Sequence, residues 1–159
     1  EFDEFLGAGA VLGAWEDRDI GYRILCGGGH ILYSPEAVVY HDHWREWAEV
    51  KTAFKNYGIG TGTAVNKYIR SGDWGSIHLI FGWLVQLGIR QMLSGLFKWR
   101  SWEKTYIGFF QLIYPWAGFI KGFKYSVERK KKVYTQKKTN RITPSQISDE
   151  LVNSKNYLK

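Results

Sequence analysis

The sequence predicts an α/β fold in which short strands and helices lead into amphipathic, membrane-proximal helices. Three observations predict it. Residues 16–26 open with Glu16, Asp17 and Asp19, place Ile20 and Ile24 at i,i+4 spacing and end on Gly27-Gly28-Gly29, the pattern of a short helix with a glycine stop. Two β-rich runs, 30–33 and 37–40, follow on either side of Ser34-Pro35-Glu36, which reads as a turn. Beyond residue 44, apolar side chains recur at helical spacing through several long segments.

At 159 residues the chain suits one ordinary domain. Eight Trp, ten Tyr and nine Phe require a large core, a membrane interface or a ligand surface. The formal charge of +7 is unevenly spread. Residues 1–50 hold ten acidic and three basic side chains, and residues 51–159 hold five acidic and nineteen basic ones. An acidic front and a basic, aromatic back read as two functional zones. One cysteine, Cys26, excludes an internal disulfide framework, and its place at a helix end predicts inert packing. The chain has no initiator Met and no signal-peptide pattern. It opens inside a running element, Glu1-Phe2-Asp3-Glu4-Phe5-Leu6, so an upstream part is expected.

Taken in order, residues 7–14 are a small-residue loop that lets backbone approach a ligand. They lack the spacing of a phosphate cradle. Asp17 is the expected N-cap of the first helix, with Asp19 in its first turn. The 37–40 run is expected to be a buried strand carrying His41-Asp42-His43 at its end. Residues 44–57 read as an amphipathic helix, broken by the glycines of 58–63. A second helix then runs through Lys67 and Arg70 to Ser71-Gly72-Asp73. Residues 77–97 are long enough to span a bilayer, yet Gln86, Arg90, Ser94 and Lys98 form a polar stripe, which favours a helix lying in the interface. Residues 106–123 are a second apolar run, broken by Pro115. Thr143-Pro144-Ser145-Gln146 has the form of a helix start within a polar, lysine-rich tail. The divisions are 1–75, 76–125 and 126–159.

The chemistry-bearing residues allow more than one reading. Carboxylates at a loop-to-helix junction and imidazoles at a strand end suit acid-base or metal-assisted chemistry. Asp17, Asp19, His41 and His43 would then serve a metal hydrolase. The same aspartates can simply cap and polarise a helix. The basic, aromatic back half also fits a lipid- or nucleic-acid-binding module, but no RNA-binding aromatic motif or helix-turn-helix spacing supports nucleic acid as a partner.

Three motifs in fixed order carry a family resemblance. They are Phe2-Asp3-Glu4-x-x-Gly7-x-Gly9, then Glu16-Asp17-x-Asp19-Ile20-x-Tyr22-Arg23, then Gly29-x-Ile31-x-Tyr33-x-Pro35-x-Ala37-x-Val39-x-His41. Together they resemble the C-terminal half of a family 2 glycosyltransferase catalytic domain, of the GT-A fold. Tyr57-Gly58-Ile59-Gly60, Lys67-Tyr68 and Gly72-Asp73 are similar to the segment that follows it in rhamnosyltransferase-like bacterial members. The resemblance covers residues 1–75. It implies a partial GT-A domain and an inverting transfer of sugar from a nucleotide-sugar donor to a saccharide or lipid-linked acceptor, in cell-surface polysaccharide or glycolipid synthesis. Asp17 would be the catalytic base. Glu16 and Trp15 would border the acceptor, and Asp19 and Arg23 would support the loop and helix. His41 would complete a Mn²⁺ or Mg²⁺ site. The D-x-D motif of that site and the nucleotide-binding half lie upstream in the family and are absent here, so this chain alone is expected to be inactive. The expected place is the cytoplasmic face of the cell membrane, held peripherally.

Overall fold

The computed structural model describes residues 1–40 and 45–137. Helices dominate. Helix α1 (Glu16–Cys26) is followed by α2 (Trp47–Arg70). A 25-residue helical run, Trp74–Lys98, contains α3 (Ile77–Trp83) and α4 (Arg90–Leu93) joined by π-wound turns at Leu84–Ile89 and Ser94–Lys98. Helix α5 (Trp102–Gly122) comes next. An antiparallel hairpin of β1 (Ser126–Glu128) and β2 (Val133–Thr135) closes the described chain, with Val127 opposite Tyr134.

Helix and strand are both present, as expected, but the strands lie elsewhere. Residues 30–33 and 37–40 form no strand, and the 37–40 run is not buried. Leu32, Tyr33, Val39 and Tyr40 are 87–95% exposed. A strand needs a neighbour to pair its N–H and C=O groups, and no strand among the described residues flanks these runs. The turn between them does form: the Ala37 N–H donates to the Ser34 carbonyl at 3.2 Å.

Helix α1 starts two residues earlier than expected. Trp15 stands at its N-cap, so Asp17 lies inside the first turn, where the helix dipole favours a negative charge. Its end is the expected glycine stop. Gly28 has φ +79°, the Gly29 N–H bonds the Ile24 carbonyl and the Gly28 N–H bonds that of Leu25, a Schellman cap.

Helix α2 runs unbroken through the glycines expected to split it. Gly58, Gly60 and Gly62 each cost helix propensity, about 1 kcal/mol relative to Ala. They are offset by what their missing side chains admit. A Cβ on Gly62 would overlap the Pro115 carbonyl, and one on Gly60 would lie 2.5 Å from the Ala14 carbonyl. Along α5, Gly118 abuts the Ile59 carbonyl and Gly122 abuts Asn66. The two helices therefore lie side by side, pointing the same way, with backbones almost touching. Pro115 does not break α5. It forfeits one backbone hydrogen bond, and its ring fits beside Gly58. The Trp74–Lys98 helix packs antiparallel to α5 by the same device, with Gly88 on Leu112, Met92 on Gly108 and Gly95 on Thr105.

The interior holds an ionic knot as well as an apolar cluster of Leu6, Leu12, Trp15, Ala64, Tyr68 and Tyr134. The Lys67 ammonium is fully buried, 2.7 Å from Asp3 Oδ2 and 2.6 Å from Asp19 Oδ1. Asp19 also accepts from the Tyr68 hydroxyl at 2.6 Å and pairs with Arg23 at 3.0 Å. Asp3 accepts from the backbone N–H groups of Phe5 and Tyr134. The Tyr134 hydroxyl donates to the Thr63 carbonyl at 2.6 Å. Residues 126–135, expected within a polar tail, form a hairpin that puts Tyr134 in the core with Val127 packed against it, and the basic residues 129–132 sit at its turn. The helix start expected at Thr143 lies outside the described residues.

The glycine seam makes a signed prediction. Gly62→Ala should destabilise the protein by about 1–3 kcal/mol, because the new methyl meets backbone. Gly82→Ala, where a Cβ meets nothing within 4 Å, should stabilise it by about 0.5–1 kcal/mol. Urea denaturation of both variants checks the opposite signs. Equal effects would contradict the seam.

Candidate functional site

The first turn of α1 is fixed from below. The small-residue loop before it is seated on α2. The Thr63 hydroxyl donates to the Leu12 carbonyl at 2.9 Å, the Ala14 N–H donates to the Asn56 carbonyl at 3.2 Å, and Gly13, with φ +89°, lies against Asn56 and Gly60. Glu16 closes the loop by accepting from the Ala8 N–H at 3.2 Å. Trp15, Glu16 and Asp17 leave this platform in fixed directions.

Two clefts flank them. One, of about 630 Å³, runs between α1 and the Trp74–Lys98 helix and is lined by Asp17, Tyr22, Leu25, Ile31, Leu79 and Leu87 among others. The second, of about 580 Å³, is lined by Ala8, Glu16, Asp17, Arg45, Phe54 and Tyr57. Trp15, Asp17, Arg18, Trp83 and Leu87 border both. The Arg18 guanidinium stacks on the Trp83 ring, 4.9 Å from its centroid, and forms the ridge between the clefts. Trp83 is held in turn: its indole N–H donates to Gln111 Oε1 at 2.8 Å, and Gln111 Nε2 donates to the Phe54 carbonyl at 2.7 Å. The buried Gln111 thus ties α2, α3 and α5 to one ring. The Trp15 indole N–H is buried and has no hydrogen-bond partner among the described residues, which costs about 1–3 kcal/mol.

The expected site residues divide into two groups. Trp15, Glu16 and Asp17 meet at the second cleft, with the Asp17 carboxylate exposed at the junction of the two. Asp19 and Arg23 pair with each other on the inner side of α1, away from the clefts, and Asp19 is fully engaged. His41 and His43 lie outside the described residues. Among the described residues no three His, Cys, Asp or Glu side chains converge to hold a metal ion. Arg18, Trp83, Gln111 and Lys67 were given no site role in the sequence reading. Trp83 and Gln111 stand in apolar runs read as membrane-proximal. Lys67 carried a signal, since it shares a run with Ala64, Val65 and Tyr68, and a charge amid such residues implies a buried partner.

The far end of α1 holds a second polar cluster. Asp73 Oδ2 accepts from the Lys132 ammonium at 2.8 Å and from the Tyr22 hydroxyl at 3.2 Å. Partial burial pushes the Asp73 carboxyl up, but Lys132 and Tyr22 outweigh it and hold the group below its usual range. Burial, with Cys26 and Asp73 beside it, pushes the Tyr22 phenol well up. Cys26 is exposed rather than packed, with Sγ 3.9 Å from Asp73 Oδ2.

Comparison with known proteins gives no matching family model, no matching curated protein and no matching solved structure.

Proposed function

We propose that this chain is the acceptor-side part of an inverting family 2 glycosyltransferase that works at the cytoplasmic face of a cell membrane. One observation carries the reading. Of the two aspartates in Glu16-Asp17-Arg18-Asp19, one is locked by Lys67, Arg23 and Tyr68, and the other is exposed at a cleft mouth with no ion pair among the described residues. A hydroxyl is a poor nucleophile, and a positioned carboxylate that takes its proton supplies about 10²–10⁴-fold. In the proposed step the acceptor O–H proton passes to Asp17. The oxygen bonds the anomeric carbon, and the bond from that carbon to the nucleoside diphosphate breaks. Glu16 and Trp15 border the acceptor. Asp19 and Arg23 hold α1. The resemblance also assigns Mn²⁺ or Mg²⁺ to the donor diphosphate, with His41 at its edge. The described residues offer no ligand set for that ion.

The test is Asp17→Asn in the full-length enzyme. Turnover should fall about 10²–10⁴-fold with little change in donor affinity. A variant keeping more than half of wild-type turnover would remove Asp17 from this role.

The membrane part of the proposal rests on an unpartnered face. On α5, Trp102, Tyr106, Phe109, Ile113, Trp116 and Ile120 recur at spacings of four and three and are 44–83% exposed. Phe81, Val85 and Ile89 of the Trp74–Lys98 helix are exposed too. Between the two helices, Lys98 and Lys104 stack on Trp99, at 5.4 Å and 4.0 Å. An apolar stripe beside basic and aromatic anchors suits a helix pair lying in an anionic interface, where each basic residue contributes about 1 kcal/mol. The Trp74–Lys98 helix is long and apolar enough to cross a bilayer. Arg90 near its middle would cost about 2.5–3.5 kcal/mol there, which favours the interface. The protein should float with anionic liposomes at low salt, less so at high salt, and the double substitution Phe109→Ser/Trp116→Ser should weaken flotation at least tenfold. A protein that stays at the bottom of the gradient would end the membrane reading.

A further inference from the structure

We propose that the 630 Å³ groove between α1 and the Trp74–Lys98 helix binds the hydrocarbon chain of an amphiphilic acceptor, with the acceptor's head at Asp17. The role given to the head rests on the transferase reading above. Binding of the chain does not.

The groove follows α1 from Asp17 in its first turn to Leu25 in its last, about 12 Å at the helical rise. Asp17 and Arg18 stand at one end, where Arg18 and Trp83 separate it from the second cleft, and Gln86 adds an uncharged amide to its lining. Further along, the walls are Leu25, Ile31 and Leu79. The Tyr22 hydroxyl there is already committed to Asp73. Leu25 and Ile31 are 55% and 58% exposed, so the groove holds open apolar surface that a ligand can cover. An extended peptide would bring a row of N–H and C=O groups into walls where Gln86 offers few partners for them, each unpaired one a costly burial. A methylene chain brings none. A second copy of this chain is disfavoured by its charge of +7, which sets the molecules against each other. One wall of the groove also carries exposed apolar residues. Leu79, Gly82 and Leu87 line it, while Phe81, Val85 and Ile89 of the same helix face outward. A lipid in the surface on which that helix rests can enter sideways, chain first into the groove, and bring its hydroxyl to Asp17.

The test uses octyl, nonyl and decyl glucoside, each below its micelle-forming concentration, with binding to the 159-residue chain followed by ligand-observed NMR. Each added methylene should tighten binding about three- to fourfold, as burial of one CH₂ requires. Gly82→Leu should weaken decyl glucoside binding at least tenfold, since its side chain enters open groove. Ile31→Asp, at an exposed position outside any helix, should do the same. Phe109→Ser/Trp116→Ser should leave binding unchanged, which separates the groove from the membrane stripe. The proposal is overturned if wild-type protein binds none of the three, if both groove variants bind within twofold of wild type, or if only the stripe variant loses binding. Alkyl binding that persists in Asp17→Asn while sugar transfer is absent from the wild-type enzyme would strike the transferase reading alone. Transfer to a soluble saccharide without alkyl binding would strike this proposal alone.

Discussion

The buried ammonium of Lys67 is the interaction on which the rest depends. It joins parts of the chain that are far apart in sequence: Asp3 before the first helix, Asp19 on α1 and its own helix α2. Through Asp3 it also reaches β2, because the same Asp3 oxygen accepts from the Tyr134 N–H at 2.9 Å. Two carboxylates this close would repel in a dry interior without the cation between them. The cation would be equally costly alone. Each therefore fixes the position of the others, and the rings of Tyr68 and Tyr134 flank the ammonium at 5.4 Å and 5.8 Å. The consequence for the site is directional. With Asp19 held to α2, α1 cannot rotate, and Asp17 two residues earlier is kept on the outer side.

A second constraint is the glycine seam. Glycines on both helices let the α2 and α5 backbones close up, so the contact is tight but draws few large apolar side chains into it. The large rings of α5 that a thicker interface would cover stay on the outside instead. A helix pair built this way has its apolar residues available to a surface beyond the molecule. The same layout gives the Trp74–Lys98 helix two roles: its inner side walls a groove beside Asp17, and its outer side carries exposed apolar residues.

Helical content, the glycine stop of α1, the turn at Ser34 and the acidic first turn were legible because each depends on neighbours in sequence. What was not legible depends on partners. The runs at 30–33 and 37–40 have strand composition, but composition cannot supply a neighbouring strand. The glycines of α2 read as a break because the helix that needs their small size lies some fifty residues later. Arg129-Lys130-Lys131-Lys132 read as a tail, although Tyr134 just beyond is a buried anchor. Of the expected site residues, Trp15, Glu16 and Asp17 line a cleft, while Asp19 and Arg23, from the same motif, turn inward. Trp83, which lines both clefts, and Gln111, which holds its indole, were hidden in apolar runs whose period shows a face but not what it meets.

The most direct measurement is equilibrium denaturation of Lys67→Met against wild type at neutral pH. Methionine keeps most of the side chain's bulk and removes the charge, leaving Asp3 buried without an ion pair and Asp19 with Arg23 as its remaining one. The account predicts a loss of about 3–5 kcal/mol, the usual cost of breaking a buried ion pair from one side. A variant within 1 kcal/mol of wild type would contradict it, and would mean that α1 and Asp17 are held by something other than this lysine.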